Sequence, residues 1–204
     1  MIQSSLITLV KPTVIPHDAP LSLDFIPPLQ KRRLSPLQQR TFAIANRIVG
    51  DRPHDYRIVF ASKEGEDSLT RKLVDAFNQD GDVSPMRFST SVYNAAPGLY
   101  SILTKNKASY CAIAAEDETL DCSLLEALMT PQPCLWIAAE ETNQTPTLGV
   151  FLKSSTEPLE AGEIACRVSP GEPNAPYLTP EGVAAFLQGE TSALISPYFT
   201  LTSC

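Results

Sequence analysis

Histidine is nearly absent from this sequence. The chain holds two, His17 and His54, and both precede every cysteine. Each sits beside a proline in a loop-like stretch, which suits a solvated loop residue. A metal centre needs several His, Cys or carboxylate ligands converging, and no H-x-x-x-H or similar spacing occurs. The five cysteines, Cys111, Cys122, Cys134, Cys166 and Cys204, form no C-x-x-C pair. Their odd number argues against a disulfide framework, and a reducing cytoplasm is the simplest setting. Glycine is sparse, nine against eighteen prolines. No Gly-rich phosphate loop and no G-x-S-x-G elbow exist among them. No apolar run approaches the roughly 20 residues of a membrane span. The start, Met1 to Val10, lacks the basic region of a signal peptide. Positive charge is also short, with 16 Lys plus Arg against 23 Asp plus Glu, a net charge of −7. That balance disfavours non-specific nucleic-acid binding, which depends on cations neutralising phosphates.

What is present is globular. A hydrophobic share of 43% and a charged share of 19% suit one domain with a sizeable core over residues 1–204. Residues 1–10 read as an edge strand, and residues 11–30, with Pro12, Pro16, Pro20, Pro27 and Pro28, as a loop. Ser35-Pro36 is a helix start, with Leu37, Ile44, Ala45 and Ile48 on one face and Gly50 as the stop. Tyr56 to Ala61 is a short buried strand. A helix from about Asp67 to Phe77 carries Leu69, Leu73, Val74 and Phe77 on one side. Tyr110 to Ala115 is a second strand, Leu120 to Met129 a helix, and Cys134 to Ala138 a third strand. This alternation implies an α/β layered sheet with parallel neighbours. Beyond Glu140, Leu148 to Leu152 and Glu163 to Val168 read as paired strands joined by an acidic loop. Thr179-Pro180-Glu181 opens a short helix through Leu187.

The chemistry is thin. Cys111 and Cys134 lie in apolar strand runs, where a free cysteine is ordinarily inert packing. Cys122 lies near a helix start, but Asp117, Glu118 and Asp121 oppose a thiolate there. The runs Glu116-Asp117-Glu118 and Glu140-Glu141 read as solvated loops.

One stretch is distinctive. Ser84 to Ile102 resembles the S-P-x-x-F-x-x-S-V-H-N-x-x-x-G-x-x-S-I segment of a ketosynthase-like family. Its members are short proteins that match only the amino-terminal half of β-ketoacyl synthases and serve aryl-polyene and related polyketide pathways. Phe25 to Ser35 is similar to that family's F-L-P-x-x-x-R-R-R-L-S opening, with Lys31 for the first Arg. Ile58 to Glu66 is similar to its strand ending in S-x-x-G-E. Tyr93 stands where the family usually has His. Near neutral pH it supplies only a hydroxyl.

The resemblance implies a thiolase-like amino-terminal half with a mixed, mostly parallel sheet layered with helices. A working ketosynthase carries its nucleophile in T-A-C-x-[ST]-G at a strand-to-helix turn, and two later histidines assist. Here the corresponding turn is Ala114 to Thr119, with a carboxylate near Glu116 and no Cys. The histidine-bearing half is not expected within these residues. The resemblance therefore implies a subunit that is not catalytic on its own. Like a chain-length factor, it would pair with a full-length ketosynthase and shape the acyl tunnel in polyketide, polyene or fatty-acid-like elongation. Phe88, Ser91, Val92, Tyr93, Asn94, Ala95, Ala96, Gly98 and Leu99 are the expected interface and tunnel residues. Ordinary core packing and tight turning are the plainer readings of several of them. Lys31, Arg32 and Arg33 are candidate docking residues for an acyl carrier protein, or else a solvated helix entry. No cofactor and no metal are implied. Two other readings stand beside this one: an independent acyltransferase or hydrolase using Cys111 or Cys122, and a carrier-binding scaffold with no part in the tunnel. A chain with half of a two-half fold is also expected to expose an apolar face to a partner.

Overall fold

The computed structural model describes residues 5–141, 144–154 and 159–204. Among these residues, one eight-stranded sheet runs through the molecule. Its strands are β1 (Ser5–Ile15), β2 (Arg57–Ala61), β3 (Tyr110–Ile113), β4 (Cys134–Ala138), β5 (Thr147–Ser154), β6 (Glu163–Pro170), β7 (Ala193–Ile195) and β8 (Phe199–Ser203). Their order across the sheet is β3-β2-β4-β5-β1-β6-β8-β7. Parallel pairing is confined to β3, β2 and β4. All other neighbours are antiparallel. The sheet is thus mixed, as expected, but parallel only in the part where strands and helices alternate.

Three expectations change. The first strand is internal rather than an edge, lying between β5 and β6. It also runs past Val10 to Ile15, five residues into the stretch read as loop. The register shifts between Val10 and Thr13, where Lys11 has φ 47°. Such a bulge is where a strand tolerates a proline, and Pro12 occupies it. Finally, β5 and β6 do not pair with each other, because β1 lies between them. Part of the acidic loop joining them, residues 155–158, lies outside the described residues.

Helices cover both faces. They are α1 (Pro28–Lys31), α2 (Pro36–Val49), α3 (Asp67–Asp80), α4 (Pro85–Thr90), α5 (Ala95–Thr104), α6 (Thr119–Leu128) and α7 (Pro180–Leu187). Side chains alternate along β4: Leu135 and Ile137 join the core with α2 and α5, and Trp136 joins the core with α6 and α7. The α2 start is as expected. Ser35 Oγ accepts from the Gln38 amide at 3.0 Å, and the Gln38 side chain accepts from the Ser35 amide at 3.2 Å. This is a reciprocal capping box. At the other end of the chain, Thr179 Oγ1 caps α7 by accepting from Gly182 N at 3.1 Å.

The helix α3 departs from expectation. Leu73 is its one buried residue. Val74 and Phe77, read as part of an inward face, are 53% and 58% exposed. The amphipathic pattern is real, but most of it lies uncovered. Among the described residues, no helix is long and apolar enough to cross a membrane.

Candidate functional site

The strand-to-helix turn between β3 and α6 holds one of the non-glycine residues with a left-handed backbone. Glu116 has φ 46°, in the left-handed region that non-glycine residues seldom occupy. Thr119 holds the turn shut. Its hydroxyl accepts from the Ala115 amide at 2.9 Å and donates to the Glu116 carbonyl at 2.7 Å. A single turn of 3-10 helix, Glu116–Glu118, leads into α6. The residue at the strained position is a carboxylate whose side chain is 91% exposed.

Charge is arranged around this turn. Lys63, just past β2, places its Nζ 2.6 Å from Asp117 and 3.7 Å from Glu116. The Lys63 hydrogen bond holds the Asp117 carboxyl below its usual range, and Asp117 in turn raises the lysine. Glu118 accepts hydrogen bonds from Tyr198 and lies against Tyr177. Glu140 is not a solvated loop residue, contrary to expectation. Its carboxylate accepts from Ser62 Oγ at 2.8 Å, from the Glu64 amide at 3.2 Å and from the Lys63 amide. Burial pushes its carboxyl up. Glu141 likewise accepts from the Ser68 amide at 3.2 Å and from the Ser68 hydroxyl. Glu140 fastens the end of β4 to the loop after β2, and Glu141 fastens it to the start of α3.

The motif residues converge on Gln38. Its Nε2 donates to Glu66 Oε1 at 2.7 Å and to the Thr90 carbonyl at 3.2 Å. Ser35, Glu66 and Thr90 come from the three segments that carry the family resemblance, so one amide side chain joins all three. Glu66 is 2% exposed, and burial raises its carboxyl above the ordinary value despite hydrogen bonds from Ser35 and Gln38. Sequence reasoning had passed over Gln38; the capping-box spacing from Ser35 was the available signal.

The expected interface residues divide into two groups. Ala95 and Ala96 are buried in the chain's own core. Phe88 and Val92 are 59% and 39% exposed, and Asn94 is exposed. Ser91, Tyr93, Gly98 and Leu99 are half-buried. Tyr93 directs its hydroxyl to the Ile113 carbonyl at 3.5 Å, and burial raises its phenol, with Glu140 adding to the shift. At Gly98 an added Cβ would stand 3.0 Å from Tyr110 Oη, so the missing side chain lets Tyr110 lie against α5. Lys31 ends α1, while Arg32 and Arg33 line a groove of about 280 Å³ together with Lys72 and Arg87. The last two cations were not singled out from sequence.

The cysteines offer no activated thiol. Burial raises Cys111, and Arg57, 3.8 Å from its sulfur, does not reverse this. Burial, Glu118 and Asp121 all raise Cys122. Cys134 and Cys166 are each pushed up to about 12. His54 is exposed, its Nδ1 3.0 Å from Tyr56 Oη. His17 is half-buried rather than solvated, with Nδ1 lacking a partner among the described residues.

A mixed sheet layered with helices, with a strained turn at the end of a parallel strand, defines the amino-terminal half of a thiolase-like fold. The family described as "Beta-ketoacyl synthase, N-terminal domain" matches residues 10–143, and the chain belongs to that family. A chain in the solved structure described as "Ketosynthase (ApeO) in Complex with its Chain Length Factor (ApeC) from Xenorhabdus doucetiae" is similar in fold, with a TM-score of 0.66 at 16% identity. The match covers 98% of this chain and 96% of that one, so the two are nearly equal in length. No curated protein matches this sequence.

Proposed function

We propose that this chain is a chain-length-factor-like subunit, not catalytic on its own, that pairs with a full-length ketosynthase during polyketide, polyene or fatty-acid-like chain elongation. The observation that carries the reading is the turn at Glu116. Glu116 has a left-handed backbone there, and in this reading the turn corresponds to the one that carries the thiol in a ketosynthase, with a carboxylate in its place. A carboxylate cannot form the acyl thioester of condensation. The sequence has no histidine after His54 to assist such a step. That a chain of similar length and fold belongs to a ketosynthase–chain length factor complex supports the same assignment.

The surface supports a partner on one side. The strand β3 pairs only with β2 among the described residues, so its outer edge is open. Against it packs α5, with α4 against α5 and α3 against α4. These elements expose Phe77, Met86, Phe88, Val92, Ile102 and Tyr110. Exposed apolar side chains and an unpaired strand edge are costly in water and are normally covered. In this reading Phe88, Val92, Asn94 and Leu99 meet the partner and close its acyl tunnel, while Ala95 and Ala96 pack beneath them. Lys31, Arg32 and Arg33, joined by Lys72 and Arg87, would receive an acidic acyl carrier protein. The whole chain acts as one domain.

Co-expression with a ketosynthase tests the assignment. A stable one-to-one complex is expected, with condensing activity that the isolated chain lacks. Condensation of malonyl and acyl units by the purified chain alone would overturn it.

A further inference from the structure

A cavity of about 340 Å³ opens beside the Glu116 turn, at the carboxyl ends of β2 and β4. That is where open α/β sheets receive ligands, and the volume lies within the range of small-molecule sites. Its walls are largely apolar, with Ala61, Leu120, Ala138, Leu148 and Leu178 among them. The wall at Leu178 is fastened from below: the buried Asp121 accepts from the Leu178 amide at 2.9 Å. The rim carries Lys63, Glu116, Asp117 and Glu140. These carboxylates are not equivalent. Glu140 is spent on Ser62 and two backbone amides. Asp117 is held by Lys63 at 2.6 Å. Glu116 is 3.7 Å from the same lysine and 91% exposed, so its capacity to accept hydrogen bonds is largely unused. Thr145 also lines the cavity, and its Oγ1 is buried with no partner among the described residues.

From this arrangement we propose that the cavity binds a small amphiphilic amine, its hydrocarbon body against the apolar walls and its ammonium on the Glu116 carboxylate. The excess of negative charge at the rim repels an anionic head, so a fatty carboxylate or a malonyl group is a poor fit. An ammonium has three donors and no acceptor, which matches the spare acceptor capacity of Glu116. The site does not depend on ketosynthase pairing and can be present or absent whether or not that pairing holds.

Three probes with one tail, octylamine, octanol and octanoate, separate the contributions when titrated calorimetrically into the isolated protein below their micelle concentrations. Octylamine is expected to bind about three- to fivefold more tightly than octanol, the gain of one exposed ion pair, with octanoate weakest. Glu116→Gln should erase the advantage of the amine over octanol. Methyl resonances of Leu120, Leu148 and Leu178 should shift with octylamine in the wild-type protein, and Ala138→Leu, which fills the floor, should abolish binding. The proposal is overturned if octanoate matches octylamine, if Glu116→Gln leaves the amine preference intact, if the shifts fall elsewhere, or if none of the three binds.

Discussion

The ring of Tyr93 lies against the backbone of Gly65, so close that a Cβ on the glycine would stand 2.8 Å from Tyr93 Cδ2. Gly65 has φ 62° in the loop after β2. The glycine after β2 thus makes room for a tyrosine from the Ser84–Ile102 segment. The tyrosine hydroxyl then reaches the end of β3. Gly65→Ala should destabilise the fold by about 1–3 kcal/mol, through a strained backbone and a steric clash together. Denaturant unfolding of the single variants and of Gly65→Ala combined with Tyr93→Ala separates the two. The clash should vanish in the double variant while the backbone cost remains.

Glu66 should make stability depend on pH in an unusual direction. Its folded carboxyl lies above the unfolded value because of burial. Below the ordinary carboxylate range both states are protonated and nothing is lost. As pH rises from that range towards the raised value, the unfolded state releases its proton first, and stability falls. Glu140 acts in the same sense. In Glu66→Gln, thermal melts across this window should show a smaller loss than in the wild-type protein.

Thiol labelling should be slow at four of the five cysteines. Cys111, Cys122, Cys134 and Cys166 all have raised thiols, with burial the leading cause. The thiolate is the reacting form, so alkylation at neutral pH should trail that of a free thiol. The exposed Cys204 should account for the early label. Rapid modification of Cys111 or Cys122, read by peptide mass, would revive a thiol-dependent activity.

The proposed partner face can be tested without disturbing the core. Val92→Asp and Phe88→Asp replace exposed side chains and should leave the melting temperature within a few degrees. Each buries a charge if the face is covered, and should weaken co-purification with a ketosynthase by about tenfold or more. Charge reversal at Lys72 and Arg87 should instead slow carrier-dependent elongation more at low salt than at high salt.

Asp121 fastens the wall of the cavity. Asp121→Ala leaves the buried Leu178 amide without its acceptor. A loss of about 1–3 kcal/mol is expected in denaturant unfolding.

Sequence alone determined the parts whose signals are local. The Ser35-Pro36 start and Gly50 stop of α2, the apolar runs of β2 and β4, and the Thr179 cap of α7 each depend on neighbours a few residues away. The turn at Glu116 was legible too, because strand and helix signals bracket it a few residues on either side. Tertiary structure decided what depends on distant partners. The apolar residues along Ser5–Ile15 can mark a strand but not which strands flank it, so its place between β5 and β6 was illegible. The helical stripe on α3 gave the apolar face but not whether anything covers it. Charge in Glu140-Glu141 reads as solvated until the loop after β2 and the start of α3 supply donors for the two. Local chemistry fixes which element forms; only the closing of the chain upon itself fixes what each side chain meets.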